Sequence, residues 1–370
     1  MKPARDPYFL ETVARACDVL KCFPDNQTEL RLKDIVQKSG LNKTIAFRLL
    51  HTLAAEGILE RGSRLAYKST VSLNERLHFR VGYAAQADED SFSYAVSAGI
   101  RLAAARQNIE LIALNNSYSA SLALKNAKKL AESGVGLVLD FQSHSKIAPA
   151  VSAVFREIGV PLIAIEIPHP NAVFYGADNY RIGLLAGTVL AKWAKDQWKS
   201  KVQRVLLLKA EAAGPLPQLR LSGAQAGIRE VIPHIEESIF TPLEAKWDFL
   251  RAFEAARRYL RRVPRETTLI TGINDMMVLG ALRAFEEAGR SQDCAAVCLG
   301  AIPEARAELR RKGTRLIAAV AFFPERYGED IIRIALEILH NRSVPSVIYA
   351  PYQLVTAANL AKLYPMDSQG

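Results

Sequence analysis

The chain has 370 residues, with 48 Lys and Arg against 38 Asp and Glu for a formal net charge of +10. Hydrophobic residues make up 49% and charged residues 23%, enough for a sizeable core, yet no apolar run reaches the ~18–20 residues that a membrane span needs. The cysteines (Cys17, Cys22, Cys294 and Cys298) are too few to staple a chain this long and lack a second Cys/His pair at metal-ligand spacing, so neither a disulfide framework nor a metal centre is expected. The charged N-terminus has no apolar signal segment, which predicts a cytoplasmic protein. The basic balance suits an acidic polymer as partner.

Apolar residues at helical spacing over 8–23 (Phe9, Val13, Cys17 and Leu20, with Val19 and Phe23 alongside) predict a first helix, ended by Pro24-Asp25-Asn26. A second helix is expected over 31–38, with Leu32, Ile35 and Val36 inward. Ser39-Gly40-Leu41 is a tight turn, and Asn42 is placed to cap a third helix over 43–55 whose inner face is Ile45, Leu49, Leu50 and Leu53. Residues 58–61, the turn Gly62-Ser63-Arg64 and residues 65–68 read as a β-hairpin. Three helices followed by a hairpin make a winged helix-turn-helix.

A recognition helix presents short polar and basic side chains to base edges and charges to phosphates. The outward positions of the third helix are Lys43, Thr44, Phe47, Arg48 and His51, and the hairpin adds Arg61, Arg64 and Lys68 for flanking phosphates. The DNA-binding set is therefore Lys43, Thr44, Phe47, Arg48, His51 and Arg64. The segment resembles the DNA-binding domain of IclR-type regulators, through ARACDVLKCF (14–23) and LKDIVQKSGLNKTIAFRLLHTLAAEGILER (32–61). One departure is Ile45, where that family often has Thr; it is expected to face the core.

Residues 69–77 read as a linker. Beyond them strands and helices alternate: a strand at 78–83, a helix at 92–106, strands at 109–114, 136–141 and 161–167, and helices to 132 and over 146–157. The series continues with helix 180–195, strand 204–210, helices 222–231 and 246–262, strand 268–273, helix 275–288, and strands 297–301 and 315–323. Such alternation predicts parallel sheets with helices on both faces, and more strands than one open sheet usually holds, hence two α/β subdomains.

This part contains no GxSxG, no phosphate loop, no HExxH and no dinucleotide-type glycine turn, and His144, His169 and His234 are isolated, so a receptor rather than an enzyme is expected, without cofactor. The run RRYLRRVPR (257–265) reads as a solvated helix face. GADNYRIGLLAG (176–187), RLSGAQAGI (220–228), GINDMMVLGALRAFEEAG (272–289), AAVAFFPERYGED (318–330) and PYQLVTAANL (351–360) resemble type I periplasmic sugar-binding proteins and the effector domains of lactose-repressor-type regulators. The resemblance implies an α/β fold of two parallel, doubly wound lobes joined by a hinge, with ligand in the cleft at the strands' carboxyl ends. Carried over residue by residue, it implies ligand contacts at Phe92, Asp140, Glu166, Arg220, Trp247, Asn274 and Phe322.

Three departures bear on the ligand. Sugar-binding members usually have a charged pair at Glu166-Ile167, an Asp in the turn Leu299-Gly300-Ala301, and an amide or Asp at Phe322. Losing those groups disfavours a ribose-like ligand and predicts a less polar or larger ligand, or an altered sugar. The expected organisation is a winged helix-turn-helix at 1–70, a linker at 71–77 and a sensing domain at 78–363, its first lobe about 78–173 and 323–345 and its second about 174–321 and 346–360. The function expected is a one-component DNA-binding regulator, a homodimer on a double-stranded operator and controlled by a small-molecule effector. The alternative is the solute receptor of a transporter.

Overall fold

The computed structural model describes residues 10–23, 28–62, 66–70, 79–211 and 214–368. The chain divides into two compact units, residues 1–78 and 79–370.

The first unit comprises α1 (Glu11–Leu20), β1 (Glu29–Arg31), α2 (Leu32–Ser39), α3 (Lys43–Ala55), β2 (Leu59–Arg61) and β3 (Ala66–Ser69). Gly40 holds the αR-forbidden φ of 69° that the α2–α3 corner requires. The Asn42 side chain then accepts the Ile45 amide at 2.8 Å and caps α3. Val19, Phe23, Ile35, Leu50, Leu53, Leu59 and Tyr67 form the core. The hairpin gains a third strand, in the order β1-β3-β2. β1 buries only Leu30, too little to leave a periodic signal in sequence. The first helix also turns a different face inward: Val13 is 56% exposed and Cys17 is exposed, while Val19 is buried. Phe9 lies outside the described residues. On α3, Ala46 takes the centre of the buried face and Ile45 and Leu49 its margins.

The second unit runs β4 (Arg80–Ala85), α4 (Ser91–Arg106), β5 (Glu110–Asn115), α5 (Ala120–Glu132), β6 (Leu137–Phe141), α6 (Ala148–Glu157), β7 (Leu162–Ile165) and β8 (Val173–Gly176). There follow α7 (Asn179–Trp198), β9 (Arg204–Lys209), α8 (Pro215–Val231), β10 (Phe240–Glu244), α9 (Phe249–Leu260), β11 (Thr268–Gly272), α10 (Asp275–Glu287), β12 (Cys294–Gly300), α11 (Pro303–Arg310) and β13 (Leu316–Ala321). The chain ends with α12 (Tyr327–Leu339), β14 (Val347–Tyr349), β15 (Gln353–Val355) and α13 (Leu360–Leu363). One sheet has the order β14-β8-β7-β6-β4-β5 and the other β10-β9-β11-β12-β13-β15. All pairings are parallel except β15 against β13. The two sheets are the two lobes, and the chain crosses between them after β8, after β13 and after β14. Among the described residues no helix is long and apolar enough to cross a membrane.

Several boundaries differ from the sequence pattern. β8 and β14 pair with each other in the first lobe, so residues 174–176 and 347–349 belong there and not to the second. The helix expected over 246–262 starts at Phe249, because β10 uses Phe240–Glu244 and Lys246 and Trp247 adopt positive φ. The helix expected at 222 starts at Pro215, where proline is preorganised for a first helical position.

α7 and α8 pack backbone against backbone. A Cβ added at Gly183 would overlap the Arg220 carbonyl, and one at Gly187 the Ala224 carbonyl. On the facing helix, Cβ atoms at Gly223 and Gly227 would overlap the carbonyls of Tyr180 and Leu184. Glycine at both four-residue spacings lets the two backbones touch directly. In the first lobe Gly99 of α4 and Gly328 of α12 make the same kind of contact. Gly183→Ala should therefore lower unfolding stability by about 2–3 kcal/mol, as overpacking against backbone does. Urea titration against the parent chain measures it, and an unchanged midpoint would show that the helices part without cost.

Candidate effector cleft and DNA-reading helix

Because Ala46, Leu50 and Leu53 are pinned in the core, a pitch of about 3.6 residues puts Thr44, Phe47, Arg48 and His51 on the opposite face of α3, with Lys43 beside them. All five are exposed. The Phe47 and His51 rings lie 6.4 Å apart. Arg61 is exposed at the end of β2 and Lys68 is half-buried. Arg64 lies outside the described residues.

In the second unit the chemistry collects where the strands end. Glu166, just past β7 with a φ of 64°, accepts the Tyr327 hydroxyl at 2.6 Å and the Ala177 amide at 3.1 Å on Oε1. Its Oε2 lies 3.6 Å from Arg220 Nη2. Arg220, buried on α8, donates through Nε to Asn179 Oδ1 at 2.6 Å and through Nη1 to the Ile273 carbonyl at 2.5 Å. Its guanidinium lies 5.1 Å over the Phe322 ring. Glu166 follows a strand of the first sheet and Arg220 sits on a helix of the second, so this ion pair spans the two lobes. Burial pulls the Arg220 guanidinium below its ordinary value, and Glu166 is the largest opposing influence.

Around the pair stands an aromatic wall. Phe92, in the first turn of α4, lies 5.6 Å from Phe322, 6.0 Å from Tyr327 and 6.2 Å from Phe141 by ring centroid. The structure thus brings together Phe92, Glu166, Arg220 and Phe322. Tyr327 and Asp275 complete the group and escaped the sequence reading, although each lies within a segment singled out there. Asp275 Oδ2 accepts the Ile302 amide at 3.2 Å. A Cβ at Gly300 would overlap this carboxylate, so the glycine in the Leu299-Gly300-Ala301 turn makes room for it. Burial pushes Asp275 up to about 6, against the backbone amides of Ile302 and Ala301.

The other predicted contacts do other work. Asp140 is fully buried, with Oδ2 2.9 Å from His169 Nε2, while His169 Nδ1 lies 2.8 Å from the Ile167 carbonyl. This joins β6 to the loop after β7 inside the first lobe. Asn274 accepts the Met277 amide at 2.9 Å, capping α10, and donates to the Trp247 carbonyl at 3.1 Å. One end of its amide caps α10 and the other ties that helix to the loop carrying Trp247. Trp247 is 37% exposed. Beside the wall, Ser91 Oγ donates to Glu304 at 2.6 Å across the lobes. A groove of about 640 Å³ opens there between the N-termini of α4 and α11. Among the described residues no cluster of His, Cys, Asp and Glu is arranged to hold a metal ion.

Residues 81–343 match the periplasmic binding protein domain. The chain belongs to that family. Residues 12–63 match the IclR helix-turn-helix domain. The ribose import binding protein RbsB of Bacillus subtilis is 24% identical over 282 residues, covering 75% of this chain and 87% of that protein. The HTH-type transcriptional regulator XynR of Escherichia coli is 35% identical over 74 residues, 20% of this chain and 29% of its own. The same fold is seen in a solute-binding protein from Mycobacterium smegmatis with bound glycerol, at a TM-score of 0.67 and 19% identity over 77% of this chain and 96% of that one. A Bacillus halodurans solute-binding protein with bound myo-inositol gives 0.67 and 18% over 78% and 98%. An IclR reader joined to a periplasmic binding protein domain fits a ligand-controlled transcription regulator.

In this periplasmic binding protein domain Asp275 supplies a test of the buried cleft. Its pKa is higher folded than the model-compound value of 3.8, so the group leaves stability untouched while protonated and lowers it on ionising. The penalty is absent below about 4, grows towards pH 6 and reaches about 3 kcal/mol above it. Asp275→Asn keeps an oxygen for the Ile302 amide and removes the ionisation. Urea unfolding of both chains from pH 4 to 7 should show the parent falling relative to the variant, and parallel curves would refute the buried charge.

Proposed function

We propose that the chain is a one-component transcription regulator. The face of α3 binds an operator in double-stranded DNA, and a small molecule held between the lobes of the second unit sets operator affinity. The observation that carries the effector half is the interlobe cluster of Phe92, Glu166, Arg220, Phe322 and Tyr327. Its polar groups bond to one another and its walls are aromatic. A hydroxyl-rich ligand has to replace bonds that already exist, whereas a ring with an apolar face gains from Phe92 and Phe322. The ribose, glycerol and inositol named for related proteins set the chemical neighbourhood, and the replacements by Ile167, Gly300 and Phe322 move this site toward a less polar, sugar-like molecule. Such a ligand controls DNA only by binding one lobe arrangement better than another.

Two copies on a two-fold operator fit the DNA half, with half-sites ~34 Å apart or a multiple of that. Leu10, just before α1, and Val13 and Cys17 on it, all exposed, support a second copy as partner. The operator places the protein in the cytoplasm, and neither half calls for catalysis or a cofactor. A reading as transport receptor accounts for the second unit and leaves the basic, exposed face of α3 without a purpose.

Gel-shift of the purified chain on the DNA upstream of its own gene should show specific retention that weakens steeply with salt. Arg48→Ala should abolish it while changing stability by no more than about 0.5 kcal/mol, as for an exposed site. Failure of the parent chain to prefer that DNA over random sequence would end the regulator reading. In a thermal-shift screen of sugars, polyols and small acids, at least one should raise the midpoint. A flat response would end the effector reading and leave the cleft a structural joint.

A further inference from the structure

Phe47 is a phenyl ring 47% exposed to solvent. In its unit the other large hydrophobics exposed to this degree among the described residues are Leu10, just before α1, and Val13 on α1. At about 100° per residue, the outward side chains of α3 follow one another around the helix in the order Lys43, Phe47, His51, Thr44, Arg48. A cation therefore stands at each edge of the face, and the phenyl, the imidazole and the threonine methyl lie between them. Laid along a major groove, the edges meet the two phosphate strands and the middle meets base edges.

A phenyl ring has neither donor nor acceptor to offer a base. The one apolar group that the major-groove edges present is the C5-methyl of thymine. We infer that Phe47, resting on the DNA-reading role proposed for α3, reads thymine methyls and so requires thymine at one or two fixed positions in each operator half-site. The ring is held for this use. Asn42 fixes the first turn of α3 through its bond to the Ile45 amide, Ala46 and Leu50 lock the opposite face into the core, and His51 flanks the ring at 6.4 Å. The backbone that carries the ring is set before binding, and covering the ring with DNA removes its exposed area from water.

The experiment begins with selection of DNA from a random pool by the full-length chain, followed by replacement of each selected thymine by deoxyuridine, which deletes the methyl and keeps every hydrogen-bonding group. The parent chain should lose about fourfold in affinity at the one or two thymines that Phe47 covers, the ratio equivalent to ~0.8 kcal/mol for a buried carbon of this size. Phe47→Ala should bind the thymine operator more weakly, lose nothing further on the deoxyuridine operator, and keep its unfolding midpoint because the ring is outside the core. Indifference of the parent chain to deoxyuridine at every position would overturn the inference while leaving the regulator reading intact. An equal deoxyuridine loss in Phe47→Ala would also overturn it, since the methyl would then belong to another side chain. If no sequence is enriched at all, the DNA-binding reading fails and this inference with it.

Discussion

Arg220 can serve the cleft only because α8 lies in backbone contact with α7. Any side chain at Gly183, Gly187, Gly223 or Gly227 would push the helices apart. The residue facing Gly183 is Arg220 itself, whose carbonyl fills the space where a Cβ would be. From that anchored backbone the guanidinium reaches Asn179 on the same helix pair, the Ile273 carbonyl at the end of β11, and Glu166 in the other lobe. One steric constraint thus fixes the charge that the whole cleft is arranged around. A shift of even an ångström between the helices would leave a buried cation without its acceptors, which is expensive in a low-dielectric interior.

Several of the cleft's polar atoms are met by other protein atoms, while Asp275 Oδ1 is buried without a hydrogen-bond partner. Glu166 satisfies Tyr327, Ala177 and Arg220; Asn274 ties its own helix to the loop that carries Trp247; Asp140 is occupied by His169. Relatives that share this fold carry polyols in the corresponding domain. Here several of the groups placed to meet a ligand are engaged by protein atoms, so the exchange of one set of bonds for another decides affinity more than their number does. The ion pair between Glu166 and Arg220 is also a link between lobes, and whatever loosens or replaces it alters the relation of the two sheets.

The reader is simpler. Its core is small, its corner needs one left-handed glycine, and its recognition helix is fixed by one cap and one buried face. The side chains of α3 proposed to meet DNA are all exposed, which is why the sequence could single them out.

What the sequence determined follows from local rules. The turn at Gly40, the cap at Asn42 and the apolar positions Leu50 and Leu53 act within a few residues, so the bounds of α3 and its exposed positions were legible, whereas Ala46 took the centre of the buried face in place of Ile45 and Leu49. The alternation of strands and helices likewise announced two parallel sheets, because each strand buried on both faces is a continuous apolar run. Short elements escaped: β1, β8, β14 and β15 are each three or four residues long, below the length at which a period of two stands out. At the cleft the sequence supplied the residue types and left their engagement open. Phe92, Glu166, Arg220 and Phe322 do converge, while Asp140 and Asn274 turn to partners elsewhere. Which lobe received β14, which face α1 buried, and which carboxylate met Arg220 depended on contacts between segments far apart in the chain. Those were decided only by tertiary structure, since a hydrogen bond is chosen by what stands within reach, and reach across the fold leaves no local mark in sequence.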